Sequence, residues 1–175
     1  MEKNCLHLYT GNGKGKTTAA MGLALRMLGH GEKVLIAQFM KDGTSGEIKA
    51  LAAFPEARVF EGARMQGFIW RMEESQLSKA RQDMAGAVAA LEAEIRAFAP
   101  RLTVLDELAV ALAMRLLQEE DARRLIDTAL EYGDTVVTGR YAGDTLRQQA
   151  DYISRIEAEK HPFEEGQQAR RGIEF

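Results

Sequence analysis

A chain of 175 residues, 46% hydrophobic and 28% charged, is long enough to bury a substantial core as one domain, residues 1–175. A net charge of −3 gives no global electrostatic argument for nucleic acid or a membrane surface. Cys5 stands alone and His7, His30 and His161 are scattered, which excludes an internal disulfide and a zinc spacing, while the lack of a cleavable or membrane-length apolar run points to a cytoplasmic protein.

The apolar run Cys5-Leu6-His7-Leu8-Tyr9 predicts a first strand over about 4–9, with Cys5 as a small buried residue. It leads into Thr10-Gly11-Asn12-Gly13-Lys14-Gly15-Lys16-Thr17-Thr18, and an Ala/Leu/Met-rich helix follows from about Thr17 to Leu28. Lys33–Phe39 is a second strand whose continuous apolar centre suits a sheet covered on both faces. A loop over 41–47, a short helix to about Ala53 and a brief strand at Arg58-Val59-Phe60 come next. Glu61 to Ser75 has weak periodicity and the single tryptophan, and reads as a long loop with a functional reason for its length.

The stripe Leu77, Ala80, Met84, Ala87, Val88, Leu91, Ile95 and Phe98 predicts a helix from about Gln76 to Phe98, stopped at Pro100. Leu102–Asp106 is a buried strand, followed by a helical stretch over about 108–118. A further helix to about Tyr132 takes Asp121 as its N-cap. Thr135–Thr138, a helix over about 144–150, a last strand over 152–156 and a polar tail from Lys160 complete the chain. Strands alternating with helices throughout mean an α/β fold with a mostly parallel sheet and helices on both faces. Ligands of such sheets bind at the carboxyl ends of the strands.

Strand, glycine loop, Gly-Lys-Thr and helix is the arrangement that binds a nucleoside triphosphate. Backbone N–H groups and the positive helix end face the phosphates, Lys16 reaches their oxygens and the Thr17 hydroxyl ligates Mg²⁺. The usual pattern places a glycine where this chain has Thr10, so the loop is a variant. Asp106-Glu107 closes an apolar strand. One of these carboxylates holds Mg²⁺ opposite Thr17, or Asp106 caps the next helix with Glu107 favoured by its dipole. The doublet alone does not separate a hydrolase from a transferase. Phe68 and Trp70 either anchor their loop in the core or offer a flat wall to a planar ligand. Arg140, straight after a strand, is placed either to reach a phosphate or as an ordinary surface arginine.

With these pieces in place the chain resembles the P-loop ATP:corrinoid adenosyltransferases, which act on cob(I)alamin or cob(I)yrinic acid a,c-diamide. The resemblance rests on Thr10–Thr18, Gln38-Phe39-Met40-Lys41 with Gly46-Glu47, and Gly67-Phe68-Ile69-Trp70. It extends through Val104–Glu107, Val137–Arg140, Ala150-Asp151, and Lys160–Phe163 ahead of Gly172-Ile173-Glu174. It implies a RecA-like, P-loop NTPase-like fold and adenosyl transfer, in which a Co(I) corrinoid attacks C5′ of ATP and expels triphosphate. ATP would lie in the loop in the sense opposite to that of ordinary NTPases. Gly11, Asn12, Gly13, Lys14, Gly15, Lys16, Thr17 and Thr18, with Arg140, would bind ATP. Thr17, Glu107 and Asp106 would contact Mg²⁺ or Mn²⁺, and Phe68 and Trp70 would press on the lower face of the corrin and exclude its axial ligand. A homodimer and a flavoprotein reductant are further implications. Nine residues precede the loop where some family members carry an N-terminal extension over the site, and Arg71-Met72 follow Trp70 where an acidic and a small polar residue are expected.

Overall fold

A computed structural model describes residues 3–40, 45–61 and 73–173. Its strands are β1 (Leu6–Thr10), β2 (Val34–Gln38), β3 (Ala57–Phe60), β4 (Leu102–Asp106), β5 (Asp134–Thr138) and β6 (Tyr152–Arg155). The helices are α1 (Lys16–Gly29), α2 (Gly46–Leu51), α3 (Glu74–Phe98), α4 (Leu108–Ala113), α5 (Glu119–Leu130) and α6 (Asp144–Gln149). The strands form one sheet in the order β3-β2-β4-β5-β1-β6, and every pairing is parallel. The phosphate-loop strand β1 and the acidic strand β4 are therefore not neighbours, because β5 lies between them.

Side chains alternate across a strand, so a fully buried strand feeds two cores. Leu35 and Ala37 of β2 pack with α3, α4, α5 and α6 on one face, while Val34 and Ile36 pack with α1 and α2 on the other. The stripe of α3 supplies Met84, Val88, Leu91 and Ile95, all buried. Removing each such side chain from water contributes about 1.5–3 kcal/mol. Glu92 of α3 is also buried. It accepts from Arg124 of α5 at 2.9 Å and from Arg96 at 3.5 Å, so its charge is paired where it leaves water.

Several boundaries differ from the sequence expectation for identifiable reasons. The third helix begins at Glu74, where Glu73 and Gln76 form a reciprocal capping box, while most of the loops expected over 41–47 and 61–75 lies outside the described residues. The stretch over 108–118 is helical only to Ala113. Arg115 turns left-handed, with φ 55°, and no glycine or proline announces that stop. Asp121 is not an N-cap: α5 starts at Glu119 after Gln118, and Asp121 sits in the first turn, bound to Arg124 at 2.9 Å. Cys5 precedes β1 and is half-buried, its backbone N–H held by Asp134 at 2.8 Å. In the tail, Pro162–Glu165 forms a 3-10 turn.

At the sheet edge, Asp151 accepts the Leu6 N–H at 2.9 Å and pairs with Lys3. The Lys3 ammonium first, and then that N–H, hold its carboxyl below the ordinary value of 3.8. This tie draws β6 alongside β1, so the residues after β6 pass over the phosphate loop. Among the described residues no helix is long and apolar enough to cross a membrane.

Candidate active site

The loop between β1 and α1 owes its shape to the strand beside it. Thr10 is the last residue of β1, in register with Arg155 of β6, and its carbonyl accepts the Ile156 N–H at 2.8 Å. The residue at that position is therefore extended, and a glycine is not needed there. The turn begins at Gly11, with φ 100°, where a Cβ would stand 2.3 Å from the Ile156 carbonyl oxygen. A Cβ on Gly13 would stand 2.6 Å from the Glu157 carbonyl carbon, and the Gly13 N–H donates to Ile156 at 2.8 Å. The displaced glycine thus matches a strand that stays paired as far as Thr10.

Lys16 opens α1 and is buried. Its ammonium donates to the carbonyls of Gly11 at 2.8 Å and Gly13 at 2.7 Å, so the lysine spans the loop from within. No acidic residue occupies the first turn of α1, and the positive helix end is left for an anion.

Across the sheet the register does the assembling. Gln38 of β2 faces Asp106 of β4, and one step beyond the Leu105–Val137 pair stands Thr138 of β5. Residues in one such row share a face, here the face that α1 covers. Asp106 is fully buried. One of its oxygens accepts from Thr17 at 2.9 Å and Thr138 at 2.7 Å, and the other from the Gln38 amide at 2.9 Å. The Thr138 hydroxyl also accepts the Glu107 N–H at 3.0 Å. Glu107 itself has φ 62°, a left-handed conformation that costs a non-glycine residue on the order of 1 kcal/mol. It is half-buried beside Asp106.

Lys16, Thr17, Asp106 and Glu107 are therefore gathered at the carboxyl ends of β1 and β4. Asn12, Lys14 and Thr18 are exposed on the rim of the loop, and Arg140 is exposed just beyond β5. Phe68 and Trp70 lie outside the described residues. Nothing local in the sequence assigns a role to Gln38 or Thr138. Their signal was a polar side chain at the carboxyl end of an apolar strand, level with Asp106. The oxygen donors suit Mg²⁺, which prefers hard ligands and keeps several waters. The Gln38 Oε1 fits as well, since it is buried with no hydrogen-bond partner among the described residues and can accept from such a water.

The fold and this constellation define an α/β protein with a nucleotide-type phosphate loop. Residues 2–175 match the family model described as ATP:corrinoid adenosyltransferase BtuR/CobO/CobP, and the chain belongs to that family. It is 35% identical to the corrinoid adenosyltransferase of Pseudomonas aeruginosa, over 99% of this chain and 85% of that protein. Corrinoid adenosyltransferase CobA of Salmonella typhimurium is also 35% identical, over 99% and 87% of the two chains. The fold is shared with a KaiC-like protein of Pyrococcus horikoshii at a TM-score of 0.55 and 15% identity, over 92% of this chain and 76% of that one. The chain is an adenosyltransferase enzyme whose family acts on corrinoids with ATP, within cobalamin biosynthesis.

Proposed function

We propose that the protein, as a single domain of residues 1–175, transfers the 5′-deoxyadenosyl group of ATP to the Co(I) centre of a reduced corrinoid and releases triphosphate. The observation that carries this reading is the phosphate loop tied through Thr17 to Asp106, in a chain that aligns over nearly its whole length with corrinoid adenosyltransferases. The electron pair of Co(I) forms the Co–C5′ bond while the C5′–O bond breaks and its pair leaves with the triphosphate. Co(I) is nucleophilic without a general base. The protein's task is therefore to orient C5′, exclude water and stabilise charge on the departing group.

Lys16 and the amino end of α1 supply fixed positive charge to the triphosphate. Asn12 to Thr18 and Gly11 would form the cradle, and Arg140, exposed just beyond β5, would join it. Thr17, Asp106 and Glu107 would hold Mg²⁺ or Mn²⁺, which when bound neutralises charge on the leaving phosphates. Asp106 already accepts three hydrogen bonds, so its role falls on orienting the Thr17 hydroxyl and metal-bound water. We further place the enzyme in the cytoplasm as a homodimer, supplied with electrons by a flavoprotein.

The test is to incubate the protein with Mg-ATP and chemically reduced cobalamin. Adenosylcobalamin and inorganic triphosphate are expected in equal amounts. Orthophosphate release without a cobalt–carbon product would mean a P-loop ATPase, and binding without turnover would mean a sensor. Phe68 and Trp70 have a separate signature. A wall on the lower corrin face removes the axial ligand and makes Co(II) easier to reduce. Phe68→Ala or Trp70→Ala should therefore lower turnover from Co(II) at least about tenfold more than turnover from preformed Co(I), where roughly 1.4 kcal/mol is each tenfold step. Equal losses on both cobalt states would remove the aromatics from that role.

A further inference from the structure

An open groove of about 800 Å³ lies beside the phosphate loop, lined by Lys14, by Arg155 at the end of β6 and by the residues that follow. Four cations line it, Lys14, Arg155, Lys160 and Arg170, against two carboxylates, Glu157 and Glu159. The groove is continuous with the loop, because Gly11 and Gly13 pack on the backbone of Ile156 and Glu157 and the Gly13 N–H is bound to Ile156. Arg155 pairs with Glu157 along the wall, and Lys160 with Glu165 at 3.3 Å, so both side chains are guided along the surface while remaining exposed to an incoming anion. Lys16 is turned into the loop, towards the carbonyls of Gly11 and Gly13. An intact triphosphate carries more charge than one lysine, one divalent ion and a helix end neutralise, and the excess calls for further cations such as those that line this groove.

We propose that this groove binds the distal phosphate of the triphosphate, both in ATP and after the C5′–O bond has broken, with Arg155, Lys160 and Arg170 setting the affinity for the product. The inference rests on the transfer reading, in which the triphosphate departs whole. The chemistry that would be recognised is a phosphate oxyanion, and its source is the polyphosphate chain rather than a phosphodiester on the corrinoid.

The experiment is titration calorimetry of inorganic triphosphate and of pyrophosphate, with Mg²⁺ and no corrinoid, into the wild type and Lys160→Ala/Arg170→Ala. Both substituted side chains are exposed tail residues, so folding is expected to survive, and Arg155→Ala provides a second variant from the other end of the wall. The wild type should prefer triphosphate. The variants should lose about tenfold in triphosphate affinity and less than about twofold for pyrophosphate, which on this proposal is held by the loop alone. Equal losses for both anions, or none, would overturn the proposal. So would a rise in KM confined to a corrinoid bearing a nucleotide phosphodiester, compared with one lacking it, while triphosphate affinity holds. A wild type that shows the length preference but forms no cobalt–carbon product would sink the transfer reading and leave the anion site intact.

Discussion

Lys16→Ala should lower kcat/KM for adenosyl transfer to preformed Co(I) by about 10³-fold, the loss typical when a preorganised charge or donor at a developing anion is removed. The lysine has two duties that the substitution separates. It places a positive charge where the triphosphate gathers negative charge, and it bridges the carbonyls of Gly11 and Gly13 at 2.8 and 2.7 Å. Loss of the second duty leaves two carbonyls without the ammonium that spans the turn, at a cost of about 1–3 kcal/mol. For a chain of this size that corresponds to a fall in Tm of a few to roughly 10 °C. Thermal unfolding and single-turnover kinetics should therefore both change. Retention of more than a tenth of wild-type kcat/KM at saturating Mg-ATP would mean that Lys16 is a loop brace and not a charge partner of the leaving group.

The architecture was largely legible in the sequence, since it depends on periodicity and punctuation. The continuous apolar centre of β2 announced a sheet covered on both faces, and the stripe of α3 gave its packing side. What escaped was set by long-range pairing. Nothing local marks Gln38 as a partner of Asp106 sixty-eight positions later, because only the β2–β4 register makes them neighbours. The misfit at Thr10 had the same origin. Its explanation is β6, which extends the pairing of β1 to Thr10 and sends Ile156 across the loop. Helix ends fixed by left-handed non-glycine residues, as at Arg115, were likewise invisible to a search for glycine and proline.

Asp106 is where fold and chemistry are hardest to separate, and two substitutions divide them. Asp106→Ala leaves the donors of Thr17, Gln38 and Thr138 without their acceptor in a fully buried place. That should cost about 3–5 kcal/mol, and activity would fall for structural reasons alone. Asp106→Asn is different. One oxygen remains for the two threonine hydroxyls, and the Gln38 amide can rotate so that its unpartnered Oε1 accepts from the new Nδ2. The bonds at position 106 are kept without its negative charge, with the Gln38 Nε2 taking the unpartnered place that Oε1 had, and Tm should stay within about 3 °C of wild type, a change of roughly 1 kcal/mol. Adenosyl transfer should nevertheless drop about 10²-fold, and the Mg²⁺ concentration for half-maximal rate should rise at least tenfold, since a buried neutral amide no longer favours a cation beside Thr17. A thermally intact Asp106→Asn protein with unchanged Mg²⁺ dependence would confine Asp106 to holding Thr17 and Thr138 in place, and would leave the metal to Thr17 and Glu107.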